Sequence, residues 1–173
     1  PQGRKTVFEA LPESLPRVIS VGRLDFDTEG LLLLTTSGAV ARKLESPQTG
    51  WRRRYRVRVY GAVDEGKLKA LAKGVTVDGV RYRPIEAVLD RKTGTNAWLN
   101  VTLSEGKNRE IRRVMEHIGL KANRLIRTAF GPFQLGQLRS GEIRVVPAKM
   151  LREQLGIAPT KPSWAKPKTL PKK

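Results

Sequence analysis

The alternation of apolar and polar positions predicts several β-strands. Over residues 54–59, arginines at the even positions alternate with Tyr55, Val57 and Val59, which is the two-residue period of a strand with one apolar face and one face of arginines. The continuous apolar run 31–36 predicts a strand buried on both faces. Shorter strands are predicted over 17–21, 75–82 (a hairpin turning at 78–79), 87–90, 97–103 and 124–129.

A period of 3.6 residues marks the helices. Within 107–118, apolar side chains recur at i, i+3, i+4 and i+7, namely at Ile111, Val114, Met115 and Ile118. Ser37 can cap a helix over 39–44, and Asp64 can cap one that ends at Gly74. Short helices are also predicted over 6–11 and 147–155. Since strands dominate and helices are scattered among them, we expect an α+β fold with a mainly antiparallel mixed sheet and flanking helices.

Length and composition fit one folded domain followed by a tail. A chain of 173 residues with 39% hydrophobic residues can build one core. From Pro159 onward the chain holds four prolines, five lysines and no acid. We therefore expect a domain over 1–157 and a flexible Lys/Pro-rich tail over 158–173. The chain opens at Pro1 without an initiator methionine, so we also expect a segment upstream.

The charge balance predicts a polyanionic partner. Thirty-four Lys and Arg face sixteen Asp and Glu, a formal net charge of +18. Self-repulsion of this size disfavours a compact state unless a polyanion such as RNA, DNA or an anionic membrane compensates it. Membrane is the weakest of the three, because the longest apolar run is far too short to span a bilayer. The absence of cysteine excludes thiolate chemistry, and the cytoplasm is the expected location.

The first candidate for chemistry is the polar loop 22–30, which carries Asp25, Asp27 and Glu29. A calcium loop starting at Asp25 requires a bidentate glutamate at position 36, where the chain has Thr36, so that reading fails. A solvated acidic loop is the plain alternative. Against this alternative, phosphates repel a carboxylate held near an RNA backbone unless a basic residue compensates its charge. An acidic loop in so basic a chain is therefore costly, and this cost favours a functional site.

The second candidate is the basic helix over 107–118. At roughly 100° per residue, Arg109 and Arg113 lie nearly opposite the apolar stripe, and Arg112 lies at its edge. Arg112 can therefore lean inward and pair with a buried carboxylate, with Asp25 as a plausible partner. The alternative is a helix whose basic face is simply solvated.

Tyr55 has two interpretations that its position alone leaves open. It is a core tyrosine, or it is a platform on which a base stacks. His117 is the only histidine, which makes a zinc site improbable. No dinucleotide fingerprint or phosphate loop is present, so we expect no organic cofactor.

Several motifs in register resemble one family. They are Gly22-Arg23-Leu24-Asp25 followed by Thr28 and 30–36, Arg54-Tyr55-Arg56-Val57, 105–113 with its run of arginines, and 124–127 with Gly131. Together they resemble the RsuA/RluB/RluE/RluF family of RNA pseudouridine synthases, with the RluB branch, which acts on large-subunit ribosomal RNA, closest. The resemblance covers about residues 3–155.

The resemblance implies a cofactor-free isomerase that converts uridine to pseudouridine in ribosomal RNA, with 23S rRNA as the expected substrate. It implies that Asp25 is the catalytic aspartate, as nucleophile at C1′ or as base toward an intermediate. Tyr55 corresponds to the tyrosine that stacks on the target base, and Arg112 to the basic residue that pairs with the aspartate. RNA contacts are expected from Arg23, Thr28, Lys107, Arg109, Arg113 and Arg127.

The chain also departs from the family pattern. The sequence starts inside the Gly3-Arg4-Lys5-Thr6 stretch and does not include the leading strand and S4-like RNA-binding domain that are usual in the family. Glu110 stands where glutamine is common, and as a helix-surface residue we expect it to matter little. A noncatalytic RNA-binding or ribosome-assembly module is the alternative function. We expect a monomer whose partner is ribosomal RNA, with no membrane and no small-molecule cofactor.

Overall fold

The computed structural model describes residue 3 and residues 5–156. Its centre is a six-stranded sheet in which β4 (Arg53–Tyr60) lies between β8 (Asn96–Leu103) and β9 (Lys121–Phe130). On the outer sides, β7 (Ile85–Thr93) pairs with β8, and β10 (Phe133–Gln134) pairs with β9. All of these pairings are antiparallel, whereas β2 (Thr28–Gly30) joins β9 in parallel. The predicted α+β class with a mainly antiparallel mixed sheet is confirmed.

Two small strand pairs lie beside this sheet. β1 (Ile19–Val21) pairs with β3 (Leu33–Thr35), and β5 (Val75–Val77) pairs with β6 (Val80–Tyr82). The second pair is the predicted hairpin, and Asp78 and Gly79 both take positive φ in its two-residue turn.

The helices follow the predicted periods, with shifted ends. They are α1 (Gly38–Glu45), α2 (Glu65–Ala70), α3 (Glu110–His117) and α4 (Ala148–Leu155), with short 3₁₀ segments at Phe8–Ala10, Pro47–Thr49 and Leu71–Lys73. Ser37 and Asp64 cap α1 and α2 as predicted. The part of the chain that the structure describes contains no helix of the length and apolarity needed to span a bilayer.

Two predictions for residues 22–36 are wrong. The run 31–36 does not form a strand buried on both faces, because only Leu33–Thr35 is extended and it pairs with β1 alone. The polar loop before it contains β2, which was not predicted. Gly30 permits that pairing, since a Cβ there would lie 2.3 Å from the Arg127 carbonyl oxygen.

Buried side chains form two clusters, and β9 contributes to both. The larger cluster packs Val57, Val59 and their sheet neighbours against α2 and α3. The smaller cluster joins Val21, Leu33, α1 and α4 to Phe130. A cleft lies between the two clusters, with Leu125 from the first and Phe130 from the second in its wall.

Candidate active site

The cleft brings together most of the residues that the motifs singled out. Asp25 and Tyr55 both line it, although thirty positions separate them in the chain. Of the six predicted RNA contacts, five lie in its wall, namely Arg23, Thr28, Lys107, Arg109 and Arg127. Arg112 and Arg113 do not line the cleft.

Asp25 lies at the start of a tight turn at the cleft. The Thr28 N–H donates to the Asp25 carbonyl oxygen at 2.9 Å, which closes the turn just before β2. The Asp25 side chain is half-buried, and within residues 5–156 its carboxylate makes no hydrogen bond or ion pair. An unengaged carboxylate in a cleft is available to act on a bound molecule.

Arg112 leans inward as predicted, but its predicted partner is wrong. Its Nε lies 3.2 Å from Asp27 Oδ2, and its side chain is only 13% exposed. Its Nη2 donates to the Asp27 carbonyl oxygen at 2.9 Å and its Nη1 to the Ala122 carbonyl oxygen at 2.6 Å. The turn directs Asp27 toward α3 and Asp25 into the cleft, so helix periodicity identified the inward arginine but not which acid it meets.

Arg109 also holds Asp27, which its predicted outward position did not suggest. It precedes α3 with a left-handed backbone (φ 51°), so it does not follow the helical period. Its Nη1 donates to Asp27 Oδ1 at 3.1 Å. Burial opposes ionisation of Asp27, but the Arg109 hydrogen bond and the Arg112 charge outweigh it and lower the pKa of that carboxyl.

Tyr55 belongs to both the core and the cleft. On β4 it lies between Val101 of β8 and Arg127 of β9, and its ring packs against the larger cluster. Burial raises its pKa, and the neighbouring Arg127 guanidinium only partly offsets that effect. The raised pKa keeps the hydroxyl neutral, and the ring is fixed by packing where it borders the cleft.

Arg127 is buried, which its predicted role as an RNA contact did not anticipate. It is 2% exposed, its Nε donates to the Leu31 carbonyl oxygen at 2.8 Å, and its Nη1 donates to the Arg23 carbonyl oxygen at 3.4 Å. Burial lowers its pKa, and the neighbouring Tyr55 opposes that shift. Arg127 alternates with Leu125 and Ala129, so the strand period of β9 already contained the signal for an inward arginine.

Glu110 is also buried, so the expectation that it lies on the helix surface is wrong. It is 4% exposed and lines the cleft. The helix begins at Glu110 rather than at Lys107, and Glu110 Oε2 accepts the Lys107 N–H at 2.9 Å from the loop before the helix.

Buried polar atoms without a hydrogen-bond partner gather at this site. Within the described residues they are Thr28 Oγ1, Glu110 Oε1, Arg112 Nε and Arg127 Nη2. Three of these residues line the cleft, and the fourth holds Asp27 beside it. Arg112 Nε still faces Asp27 Oδ2 at 3.2 Å, whereas the Thr28 hydroxyl at the cleft is open to a bound ligand, because buried polar groups are normally paired.

The rim of the cleft is basic, and part of it was missed from the sequence. Arg53 lines the cleft with its guanidinium 4.8 Å from the Phe130 ring centre. The acidic Glu45 also lines the cleft, and its carboxylate accepts the Gly22 N–H at 2.7 Å. Neither residue belongs to a local motif, and only the meeting of α1, β4 and the 22–30 loop places them here.

Comparisons with known proteins point to one family. The family model for RNA pseudouridylate synthase matches residues 4–117. The chain is 53% identical over 152 residues to an uncharacterized RNA pseudouridine synthase of Rickettsia bellii (strain RML369-C), covering 88% of this chain and 66% of that protein. It is 43% identical over 166 residues to ribosomal large subunit pseudouridine synthase B of Escherichia coli (strain K12), covering 92% and 56%.

The fold is also similar to that of a solved structure. The fold matches a crystal structure of pseudouridylate synthase with a TM-score of 0.75 and 29% identity, covering 87% of this chain and 65% of that one. The chain thus spans two thirds or less of the length of each of these proteins.

Proposed function

The chain belongs to the RNA pseudouridylate synthase family, and from this membership we propose that it isomerises uridine to pseudouridine in ribosomal RNA, with 23S rRNA as substrate. The observation that carries the proposal is the cleft itself. It unites a carboxylate that makes no hydrogen bond or ion pair within residues 5–156, an aromatic ring held by core packing and the buried, unpartnered Thr28 hydroxyl.

The reaction exchanges one bond to the sugar for another. The N1–C1′ bond of uridine breaks, a C5–C1′ bond forms, and the proton lost from C5 is balanced by one gained at N1. The target uridine leaves its stack to expose C1′, at a cost of a few kcal/mol. Asp25 acts at the sugar, as nucleophile at C1′ or as base toward an intermediate, and Tyr55 stacks on the base.

Arg112 serves this chemistry from a distance. We assign it a positioning role, because its contacts run to Asp27 and to the Ala122 carbonyl oxygen rather than to Asp25. By holding Asp27, it fixes the turn that presents Asp25.

The basic rim binds the RNA backbone in this proposal. Arg23, Thr28, Lys107 and Arg109 contact nucleotides at the cleft, while Arg113, exposed on α3, contacts phosphate further away. Arg127 supports the 23–31 segment from below. Binding of this kind weakens as salt rises, because phosphate contacts release counterions.

The wider organisation is also proposed. Residues 1–157 form the catalytic domain, and the Lys/Pro-rich segment 158–173, which lies outside the described residues, adds nonspecific phosphate contacts. The enzyme acts as a monomer in the cytoplasm.

Mapping of pseudouridine in ribosomal RNA tests the activity. The chain and its Asp25→Asn variant are incubated with 23S and 16S rRNA transcripts, and Asp78→Asn, in the exposed hairpin turn, is the matched control. We expect product in 23S rRNA with the chain and the control, and none with Asp25→Asn. Binding of both transcripts without product from the unaltered chain would favour the noncatalytic module, and product from Asp25→Asn would remove Asp25 from the chemistry.

A further inference from the structure

Glu110 is a buried acid for which the proposed chemistry has no use. It is the first residue of α3, and it lies in the cleft wall at 4% exposure. Its Oε2 accepts the Lys107 N–H, whereas its buried Oε1 has no hydrogen-bond partner within residues 5–156. A buried carboxylate with one empty oxygen is costly, so either the group is neutral or a partner completes it.

The neighbouring acid Glu105 keeps its own charge. It accepts the Arg83 N–H at 2.7 Å, and its Oε2 lies 3.2 Å from Lys107 Nζ. Burial opposes its ionisation, but these donors outweigh burial and lower the pKa of Glu105. A carboxylate that stays ionised beside Glu110 disfavours a second negative charge there.

Glu110 is correspondingly hard to ionise. Burial is the main cause, the hydrogen bond from the Lys107 N–H opposes it, and the adjacent Glu105 adds to it, so the pKa of Glu110 is raised to about 7. Titratable and charged groups nearby include the Lys107 ammonium on the loop before α3 and the Tyr55 phenol on β4, beside which lie Arg53 of β4 and Arg127 of β9.

The start of α3 is connected to the catalytic turn. Arg109 immediately precedes Glu110, Arg112 lies two residues after it, and both arginines bind Asp27. A displacement of this end of the helix therefore reaches the turn that carries Asp25.

We propose that Glu110 is a positioning residue that acts as a neutral carboxylic acid. Its Oε1–H donates to the Glu105 carboxylate, and the pair fixes the start of α3 from which Arg109 and Arg112 hold the Asp25 turn. Loss of the shared proton sets two carboxylates against each other and loosens that end of the helix. The inference rests on the proposed function, in which Asp25 is the catalytic residue.

The pH profile of turnover is the first test. If only the neutral form is competent, kcat/KM on rRNA falls about tenfold per pH unit above a midpoint near neutrality. Glu110→Gln keeps the acceptor for Lys107 and offers an N–H to Glu105, so it retains activity and its profile stays flat through that range. Glu105→Gln moves the midpoint to lower pH because it removes the neighbouring charge, and Glu116→Gln, exposed on the same helix, behaves as the unaltered chain.

The Thr28 amide gives a readout that does not need turnover. Its NMR shift follows the turn, so we expect it to titrate with the same midpoint in the unaltered chain and not in Glu110→Gln. Identical profiles and identical amide titrations in the two proteins would overturn the inference. If no uridine is converted at any pH, the proposed function fails, and the amide titration alone decides the role of Glu110.

Discussion

The two faces of the central sheet use arginine in opposite ways. On the cleft face, Arg127 is 2% exposed, and its guanidinium donates hydrogen bonds to the carbonyl oxygens of Leu31 and Arg23. On the open face, Arg56 pairs with Asp90 at 3.2 Å and lies over the Trp98 ring, and both partners of this ion pair are well exposed. The comparison teaches that in a chain of charge +18 the location of an arginine, rather than its charge, determines whether it supports the fold or meets the solvent.

The largest expected difference between the faces is in stability. Arg127→Met leaves two carbonyl oxygens without donors next to a packed ring, so we expect it to lower the free energy of unfolding by about 3 kcal/mol or more. Arg58→Met, on the open face without a side-chain partner in the described part of the chain, should change it by less than about 0.5 kcal/mol. Urea unfolding measures both, and equal losses would contradict the distinction.

The next difference concerns two arginines that share one acid. Arg112 is 13% exposed and makes three contacts, whereas Arg109 is 45% exposed and binds Asp27 alone. We expect Arg112→Ala to reduce kcat/KM about 100-fold through misplacement of the turn, and Arg109→Ala about tenfold. Arg144→Ala, an exposed arginine away from the cleft, is the control, and equal effects of the first two would show that burial of the contact is irrelevant.

The smallest expected effect is in the salt dependence of RNA binding. Arg23 lines the cleft and Arg58 lies on the open face. Arg23→Ala should lower the slope of log affinity against log salt by about 1, whereas Arg58→Ala should leave it unchanged. A similar drop for Arg58→Ala would mean that RNA also covers the open face.

Local sequence signals were sufficient for much of the fold. The alternation around Val57 and the period through Ile111 and Val114 correctly identified β4 and α3, because both patterns arise within one element. The hairpin at Asp78 was equally local. The strand β2 was missed because its three residues are polar and glycine-containing, and only its pairing with β9 makes it a strand.

Of the candidate site, the sequence alone predicted a polyanionic partner, the inward lean of Arg112 and, by motif, a set of residues that includes Asp25 and Tyr55. Tertiary structure alone decided that Arg112 meets Asp27, that Glu110 is buried beside Glu105, and that Arg127 lies beneath the cleft. The physical reason is the separation along the chain of the residues that interact. Helix and strand periods are set by backbone geometry over a few residues, whereas the Arg112–Asp27 contact and the place of Arg127 depend on contacts such as the parallel pairing of β2 with β9, which joins segments nearly one hundred positions apart.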